Sequence, residues 1–301
     1  MWIRTLCFSA AIMACSSSAS VLAADGPAVY DTPQDALDVF SRALAERDRD
    51  EMRVIFGPEA EDLLSTGNEG RDKANRAAVM AMILQGYRFQ PDEDRVVLLL
   101  GADGWPFPIP LMRVDAGWQF DIEAGRDEVL ARRIGLNELD VSVLLEAYVD
   151  LQSEFRLTDH DEDGVMEFAR AVISEPGARD GLFWPDEGGF VGAALARAAA
   201  FGWSDGDKDR SPEPFSGYYF KILHGQTANA PGGEASYLLG DNLVGGHAML
   251  AFPAIYGETG LYSFMVGENG VVLEADLGED TLGRAAAITA FDPGPEWRVF
   301  E

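Results

Sequence analysis

Cysteine is nearly absent from this chain. The 301 residues include two cysteines, Cys7 and Cys15, and both precede residue 24. We therefore expect the body of the protein to have no disulfide, no thiol nucleophile and no cysteine-based metal site. Its stability must come from a packed core, which a chain with 47% hydrophobic residues is able to supply.

Histidine is also scarce, with three residues at positions 160, 224 and 247. None of them stands in a His-Glu-x-x-His or other paired-histidine spacing, which argues against a zinc hydrolase. The chain has no Gly-x-Ser-x-Gly nucleophile elbow and no phosphate-binding glycine loop with a lysine. We expect His247, which lies in an apolar stretch, to be a hydrogen-bonded core residue and not a metal ligand.

Basic residues are few relative to acidic ones. The sequence has 23 Lys and Arg against 51 Asp and Glu, a net charge of −28. Such a surface repels the phosphates of nucleic acids and of anionic lipids, so we expect no nucleic-acid partner. The aromatic content of 10% is too high for a disordered acidic chain, so we expect a folded protein.

Residues 1–23 have the pattern of a signal peptide. Arg4 precedes a short apolar stretch, and Val21-Leu22-Ala23 precedes a cleavage point that would make Ala24 the first mature residue. Because serines interrupt the stretch, it is too short to span a bilayer. We expect a periplasmic protein with no membrane insertion after signal removal. The alternative is a lipoprotein anchored through Cys15, since residues 12–15 loosely resemble a lipobox.

Residues 24–125 are predicted to form an N-terminal α+β domain. Thr32, Pro33 and Asp35 have the spacing of a capping box with proline at the first helical position. Alternate prolines at 106, 108 and 110 suit an edge strand. We predict further helices at 51–56, 59–64 and 71–84, and a small curled antiparallel sheet of strands at 95–101, 107–114 and 117–122 with a tight turn at 115–117.

Residues 126–301 are predicted to form a second α+β domain. Apolar spacing predicts one long or bent helix over 126–155, in which Gly135 is the natural bend and Asn137 is able to cap a restart. The Gly-, Pro- and Asp-rich segment 158–214 contains a helix near 190–201 and is expected to be ordered by an ion or by packing. The long helix packs on a five-stranded antiparallel meander, with strands predicted at 217–223, 235–239, 247–252, 261–266 and 271–275.

Six short segments are distributed over nearly all of the chain after the signal. They are residues 105–110 (WPFPIP), 133–139 (RIGLNEL), 179–185 (RDGLFWP), 217–220 (GYYF), 230–233 (APGG) and 291–293 (FDP). Together they resemble the bacterial exported family catalogued as domain of unknown function 2950. The resemblance implies a periplasmic protein of Gram-negative bacteria. It implies no catalytic residues, because the family has no assigned activity.

The C-terminal half has a weaker resemblance. Asp163-Gly164, Gly217-Tyr218-Tyr219-Phe220, Tyr256-Gly257 and Asn269-Gly270-Val271 follow a helix in an order similar to the globular heads of type IV pilin-like proteins. The processed apolar helix through which pilins polymerise is missing. This resemblance implies a shared architecture and an accessory role in a pilus-like assembly.

One acidic segment has the pattern of a calcium loop. Asp159, Asp161 and Asp163 alternate and are followed by Gly164, which permits the turn. Arg170 stands where a full EF-hand loop ends in an acid, and Glu167 is the nearest substitute. We predict a calcium site formed by Asp159, Asp161, Asp163 and Glu167. The alternative is a solvated acidic turn. A second cluster, Asp205, Asp207 and Asp209, either completes the site or forms another exposed loop.

An aromatic cluster has two interpretations. Its residues either line a groove for a sugar, peptide or apolar ligand or, as we favour, form the core beneath the long ordered loops. They are Phe183, Trp184, Phe190, Trp203, Phe215, Tyr218 and Tyr219.

These patterns favour a non-catalytic periplasmic protein that binds a partner or assists envelope assembly, with calcium as its expected cofactor. The expected partner is an unknown envelope protein or a small ligand. One alternative is a hydrolase of envelope polymers that acts through acidic residues alone, which requires a cleft holding two carboxylates about 5 to 9 Å apart. The other is an accessory component of a pilus-like assembly.

Overall fold

The computed structural model describes residues 26–64, 69–175, 177–185, 188–199 and 212–301. These residues fall into two compact units, divided between Glu128 and Val129. The predicted signal peptide lies outside the described residues. So do Trp203 of the aromatic cluster and the second acidic cluster, Asp205, Asp207 and Asp209.

The N-terminal unit begins with helices, as predicted. The capping box is present at the start of α1: the N–H of Asp35 donates to Thr32 Oγ1 (3.2 Å), and the N–H of Thr32 donates to Asp35 Oδ2 (3.1 Å). These helices pack a core that includes Phe40, Phe56 and Phe120. The helical elements are α1 (Pro33–Glu46), α2 (Arg49–Phe56), a 3-10 turn (Pro58–Ala60), α3 (Glu61–Leu64) and α4 (Glu69–Gln85).

The antiparallel sheet of this unit has five strands. They are β1 (Tyr87–Asp92), β2 (Arg95–Leu100), β3 (Trp105–Pro106), β4 (Leu111–Val114) and β5 (Gly117–Phe120), in the order β1-β2-β4-β5 with β3 also paired to β2. The tight turn is confirmed, because Val114 pairs with Gly117. Strand β1 was not predicted, because nearly all of its residues are exposed and its sequence shows no apolar alternation.

The strand predicted at 107–114 is confirmed only over β4, and β4 is not at the edge of the sheet. β3 and β4 both pair with β2, and β4 lies between β2 and β5, inside the sheet. Pro108 and Pro110 stand in the break between the two strands. Since proline has no N–H to donate, the ladder is interrupted where they occur.

Helix α5 (Ile122–Phe155) has 34 residues and is continuous. Of the two alternatives, one long helix is therefore confirmed, and there is no restart at residue 137. The helix passes through Gly135, and the side-chain amide of Asn137 donates to the carbonyl of Thr259 (2.9 Å). Within the described residues, no helix combines the length and the apolar character needed to cross a membrane.

The C-terminal unit continues with short elements and then a larger sheet. The elements are β6 (Ala171–Ile173), β7 (Gly181–Trp184), β8 (Gly188–Gly189), α6 (Ala193–Ala199), β9 (Tyr218–Leu223), β10 (Gly225–Gln226), β11 (Ala235–Ser236), β12 (Leu238–Leu239), β13 (Asn242–Leu243), β14 (Ala248–Pro253), β15 (Ser263–Gly267), β16 (Val272–Ala275), α7 (Thr281–Ala287) and β17 (Arg298–Val299). Strands β6, β7 and β8 form a small sheet of their own.

The predicted five-stranded antiparallel sheet is present, but one member differs. Its order is β17-β16-β15-β14-β9. Residues 235–239 were expected in this sheet, and they instead form two small pairs, β10 with β11 and β12 with β13. β9 pairs directly with β14, so the chain between them leaves the sheet and returns. The fifth place is taken by β17.

The core of this unit lies around the sheet. Every residue of β14, β15 and β16 is buried, which requires cover on both faces of the sheet. Leu145 and Tyr148 of α5 belong to the same core, and the Tyr148 hydroxyl donates to the carbonyl of Ala248 (3.3 Å). The α+β class and the packing of the long helix on the sheet are confirmed.

Candidate metal centre

Three carboxylates converge just after α5. One ligand atom of each of Asp159, Asp161 and Asp163 lies within 4.8 Å of the others. Two oxygens bound to one calcium ion at 2.3 to 2.6 Å can be no more than about 5 Å apart. The spacing of the three side chains is therefore compatible with a shared ion.

The backbone of this acidic loop (residues 159–164) is tightly turned. Glu162 and Gly164 have positive φ angles of 63° and 89°. The N–H of Gly164 donates to Asp159 Oδ2 (2.9 Å), and the N–H of Val165 donates to Asp163 Oδ1 (2.8 Å). Asp159 Oδ1 is inaccessible to solvent and has no hydrogen-bond partner among the described residues. A buried oxygen without a donor is costly, and a cation would satisfy it.

Desolvation and carboxylate crowding raise the pKa of one aspartate of the acidic loop and of the nearby Glu167. Partial desolvation raises the pKa of Asp161, and the neighbouring charges of Asp163 and Asp159 raise it further, while the N–H of Asp163 lowers it. Burial also raises the pKa of Glu167, with added contributions from Asp161 and Asp163. A divalent cation would lower these pKa values again, because it favours the ionised form of every carboxylate around it.

Glu167 lies beside the three aspartates but outside the group that converges. It is 7% exposed, and its Oε2 accepts the N–H of Leu243 (2.9 Å). Its role as a fourth ligand stays a prediction.

An aromatic contact holds one side of the acidic loop. The ring of His160 packs against Phe155 at the end of α5 (centroids 4.3 Å apart) and against Trp184 and Phe190 (5.5 Å each). Its Nε2 lies 3.1 Å from the carbonyl oxygen of Phe155, to which it donates. His160 therefore fixes the position of the flanking aspartates relative to the helix.

The β12–β13 hairpin holds the other side. The side-chain amide of Asn242 donates to Asp163 Oδ2, and the N–H of Phe168 donates to the carbonyl of Leu243 (2.8 Å). Sequence reasoning missed Asn242, which is 79 residues from Asp163 and has no local signal that links the two. The acidic loop therefore joins the end of α5 to a distant hairpin.

Arg170 does not enter the acidic cluster. Its guanidinium forms an ion pair with Asp180, and its NH1 donates to the carbonyl of Asp241 (3.5 Å). The residue that replaces the terminal acid of an EF-hand loop therefore pairs elsewhere, and no cationic side chain among the described residues is seen bonded to the three aspartates.

A cavity of about 440 Å³ lies near this ion pair. Its walls combine the polar side chains of Arg170, Asp180 and Lys221 with the apolar side chains of Val172 and Phe220. The volume and the mixed lining fall in the range of small-ligand sites. Asp180 is already bound by Arg170, so any use of its carboxyl as a general acid would require that pair to open.

The remaining sequence predictions have mixed outcomes. Tyr218 is fully buried, and Trp184, Phe190 and Tyr219 pack against the core, which confirms the core interpretation for these residues. Phe215 is 38% exposed. His247 is fully buried as predicted, but the expected hydrogen bond is wrong: neither ring nitrogen has a partner among the described residues.

Together these features define an α+β protein whose C-terminal unit carries a preformed acidic loop. Its sequence matches the family described as a protein of unknown function (DUF2950) over residues 27–300, and the chain belongs to that family. No curated protein and no solved structure matches the chain significantly. The resemblance to pilin-like heads stays a prediction.

Proposed function

We propose that this chain is an exported, non-catalytic binding or assembly factor of the Gram-negative periplasm, with a C-terminal unit stabilised by calcium. Asp159, Asp161 and Asp163 provide the ligands, with Glu167 as the fourth. The observation that carries the proposal is the convergence of three carboxylates, one of which has a buried oxygen without a donor.

Calcium at this position has a structural role. The ion neutralises charges that now repel each other across the acidic loop. Because Asp163 is bonded to Asn242 and Glu167 to Leu243, the ion also fixes the β12–β13 hairpin to the end of α5. The hairpin contributes Leu238 to the cavity described above, so the ion orders one wall of the place where a small ligand would bind.

Two of the three histidines support a non-catalytic role. His160 is stacked among aromatic rings, the Nε2 of His224 is bonded to the carbonyl of Arg170 (2.7 Å), and His247 is sealed in the core. Within the described residues, His160 and His247 are therefore committed to packing, whereas His224 is exposed and lines the cavity, with one ring nitrogen bonded to a backbone carbonyl.

Calcium titration tests the metal site. At 10 mM calcium and a dissociation constant of about 10⁻⁴ M, typical of extracellular modules, binding stabilises the folded state by about 2.7 kcal/mol. We expect the melting temperature to rise by about 5 to 10 °C relative to chelator, and less with magnesium. Calorimetric titration of the chelated protein should show one calcium per chain.

Isosteric variants locate the ion. Asp161→Asn with Asp163→Asn should abolish the calcium-dependent rise. The matched control, Asp150→Asn with Glu154→Gln, removes the same charge from exposed positions of α5 and should retain it. A melting temperature that calcium leaves unchanged, or a rise that survives in the loop variant, would contradict the proposal.

Export has its own test. Intact mass of protein recovered from the envelope fraction should correspond to a chain that begins at Ala24. A lipid-modified chain that begins at Cys15 would instead support the lipoprotein alternative, and a chain that begins at Met1 in the cytosol would contradict export. Incubation with purified envelope polymers should release no product, and release that depends on an acidic side chain would establish the hydrolase alternative.

A further inference from the structure

Helix α5 carries apolar residues on two opposite faces. One face is buried in the core of the C-terminal unit through Val141, Leu145 and Tyr148, and Ile134 on the same face is also buried. On the other face, Leu136, Leu139 and Val143 are 63%, 55% and 65% exposed. At 3.6 residues per turn these three form one stripe, here called the α5 stripe. Leu139 and Val143 are among the apolar residues whose spacing predicts this helix, and the structure places them outside the core.

The side of α5 that faces the sheet already forms hydrogen bonds with the rest of the C-terminal unit. Asn137 donates to the carbonyl of Thr259, and Glu138 accepts the N–H groups of Leu261 (2.9 Å) and Tyr262 (3.1 Å). The α5 stripe lies on the opposite side of the helix. A contiguous exposed apolar stripe of this kind marks an interaction surface.

Charges beside the stripe indicate its partner. Arg133 and Asp140 are both exposed, and they lie two turns apart along the same edge of the α5 stripe. One oxygen of Asp140 accepts the Ser216 hydroxyl (3.3 Å), which leaves its other oxygen for a partner. In two antiparallel helices related by a twofold axis, equivalent edges face each other. An axis that crosses the helix at about residue 137 brings Arg133 of one chain to within about one residue, or 1.5 Å of helix rise, of the position opposite Asp140 of the other, twice. The same axis packs Leu136 against Leu139 of the second copy.

We propose that this chain forms a symmetric homodimer in which the α5 stripes of two copies pack antiparallel. One placement of the axis satisfies both the apolar contacts and the two ion pairs, which is the self-complementarity that a twofold interface requires. Two helix faces bury an area at the low end of specific interfaces, so the dissociation constant is expected on the order of micromolar.

Sedimentation velocity from about 1 to about 300 µM tests the dimer, since this range brackets a micromolar dissociation constant. We expect a reversible monomer–dimer equilibrium. Leu139→Glu should weaken it about tenfold or more, because it buries a charge at the centre of the interface. The matched control is Leu157→Glu, at a residue that is 74% exposed and outside the α5 stripe, and it should leave the equilibrium unchanged.

Exchanging the charges at residues 133 and 140 is the most direct test of the dimer. Arg133→Asp and Asp140→Arg should each weaken the dimer, because each places like charges opposite one another. The double variant restores the pairs and should recover most of the affinity. Melting temperatures of the variants, measured at concentrations well below the dissociation constant of the dimer, should match the parent, since these side chains are exposed. A chain that stays monomeric throughout the range, a dimer indifferent to Leu139→Glu, or a double variant weaker than both single variants would overturn the proposal.

Discussion

The ring of His247 lies against the ring of Phe168, with centroids 4.7 Å apart and planes at 62°. Tyr148 meets the same imidazole edge to face at 5.2 Å. His247 is fully buried, and its nitrogens have no hydrogen-bond partner among the described residues. Burial lowers its pKa to about 4, and the charge of Arg156 contributes to the same shift.

We therefore expect acid to destabilise the C-terminal unit through His247. The depressed pKa means that the unfolded chain binds the proton more readily, so the contribution is complete above about pH 6.5 and is lost as pH falls towards 4. The loss amounts to about 2 to 3 kcal/mol between pH 7 and pH 4.5. Urea unfolding of the parent and of His247→Phe at both pH values measures it: the variant should lose less stability by this amount. His224→Gln is the control and should behave like the parent. Equal pH dependence in His247→Phe would contradict the expectation.

The side chain of Gln152 forms hydrogen bonds with two backbone groups inside the core. It is fully buried, its Nε2 donates to the carbonyl of Ala169 (2.9 Å), and its Oε1 accepts the N–H of Ala169 (2.8 Å). Gln152→Leu should destabilise the C-terminal unit by about 2 to 4 kcal/mol, because it leaves two buried backbone groups unpaired. Denaturant midpoints measure the loss. Ser153→Ala, at the adjacent exposed position, should change stability by less than about 0.5 kcal/mol. A similar loss in both variants would show that Gln152 has no special role.

Gly135 offers a stabilising substitution. It is helical, and an added Cβ would meet no atom within 4 Å. Gly135→Ala should therefore raise stability by about 0.5 to 1 kcal/mol, since alanine loses less conformational freedom on entering a helix. Gly260→Ala is the contrasting variant, because its Cβ would lie 1.9 Å from the Tyr218 hydroxyl oxygen, and it should be destabilising. Thermal melts of the two variants should shift in opposite directions. A lower melting temperature for Gly135→Ala would show that the helix needs its glycine.

The capping box at the start of α1 should contribute measurably to the N-terminal unit. Thr32→Ala removes the oxygen that accepts the N–H of Asp35, at an expected cost of about 1 kcal/mol. Thr32→Ser retains this oxygen and should stay within a few tenths of a kcal/mol of the parent. Chemical denaturation of the parent and of both variants measures the difference. Equal losses in the two variants would show that the methyl group of Thr32, and not its hydroxyl, is what matters.

Local signals in the sequence were sufficient for part of the fold. The Thr32 capping box and the turn at residues 115–116 depend on neighbours within a few positions, and both are present. The spacing of Asp159, Asp161 and Asp163 likewise brings their carboxylates together. In each case the interacting groups lie on the same short stretch of chain.

Features that depend on distant pairing could not be predicted in the same way. Residues 235–239 alternate like a sheet strand, but alternation does not say which strand lies beside them, and β9 pairs with β14 instead. Exposed β1 has no apolar pattern to recognise. The bond from Asn242 to Asp163 depends on where the hairpin folds back. The spacing of apolar residues on α5 also cannot show which of two apolar faces the core will cover.

The closed environment of β14 makes its amide protons slow to exchange with deuterium. Because both faces of that strand are covered and it is bonded on each side to another strand, its N–H groups meet solvent only when the whole unit opens. Their exchange rates therefore report the free energy of global opening. Amides of the exposed residues 161–164 report local fluctuations, so one exchange experiment separates stiffening of the loop from stabilisation of the entire unit.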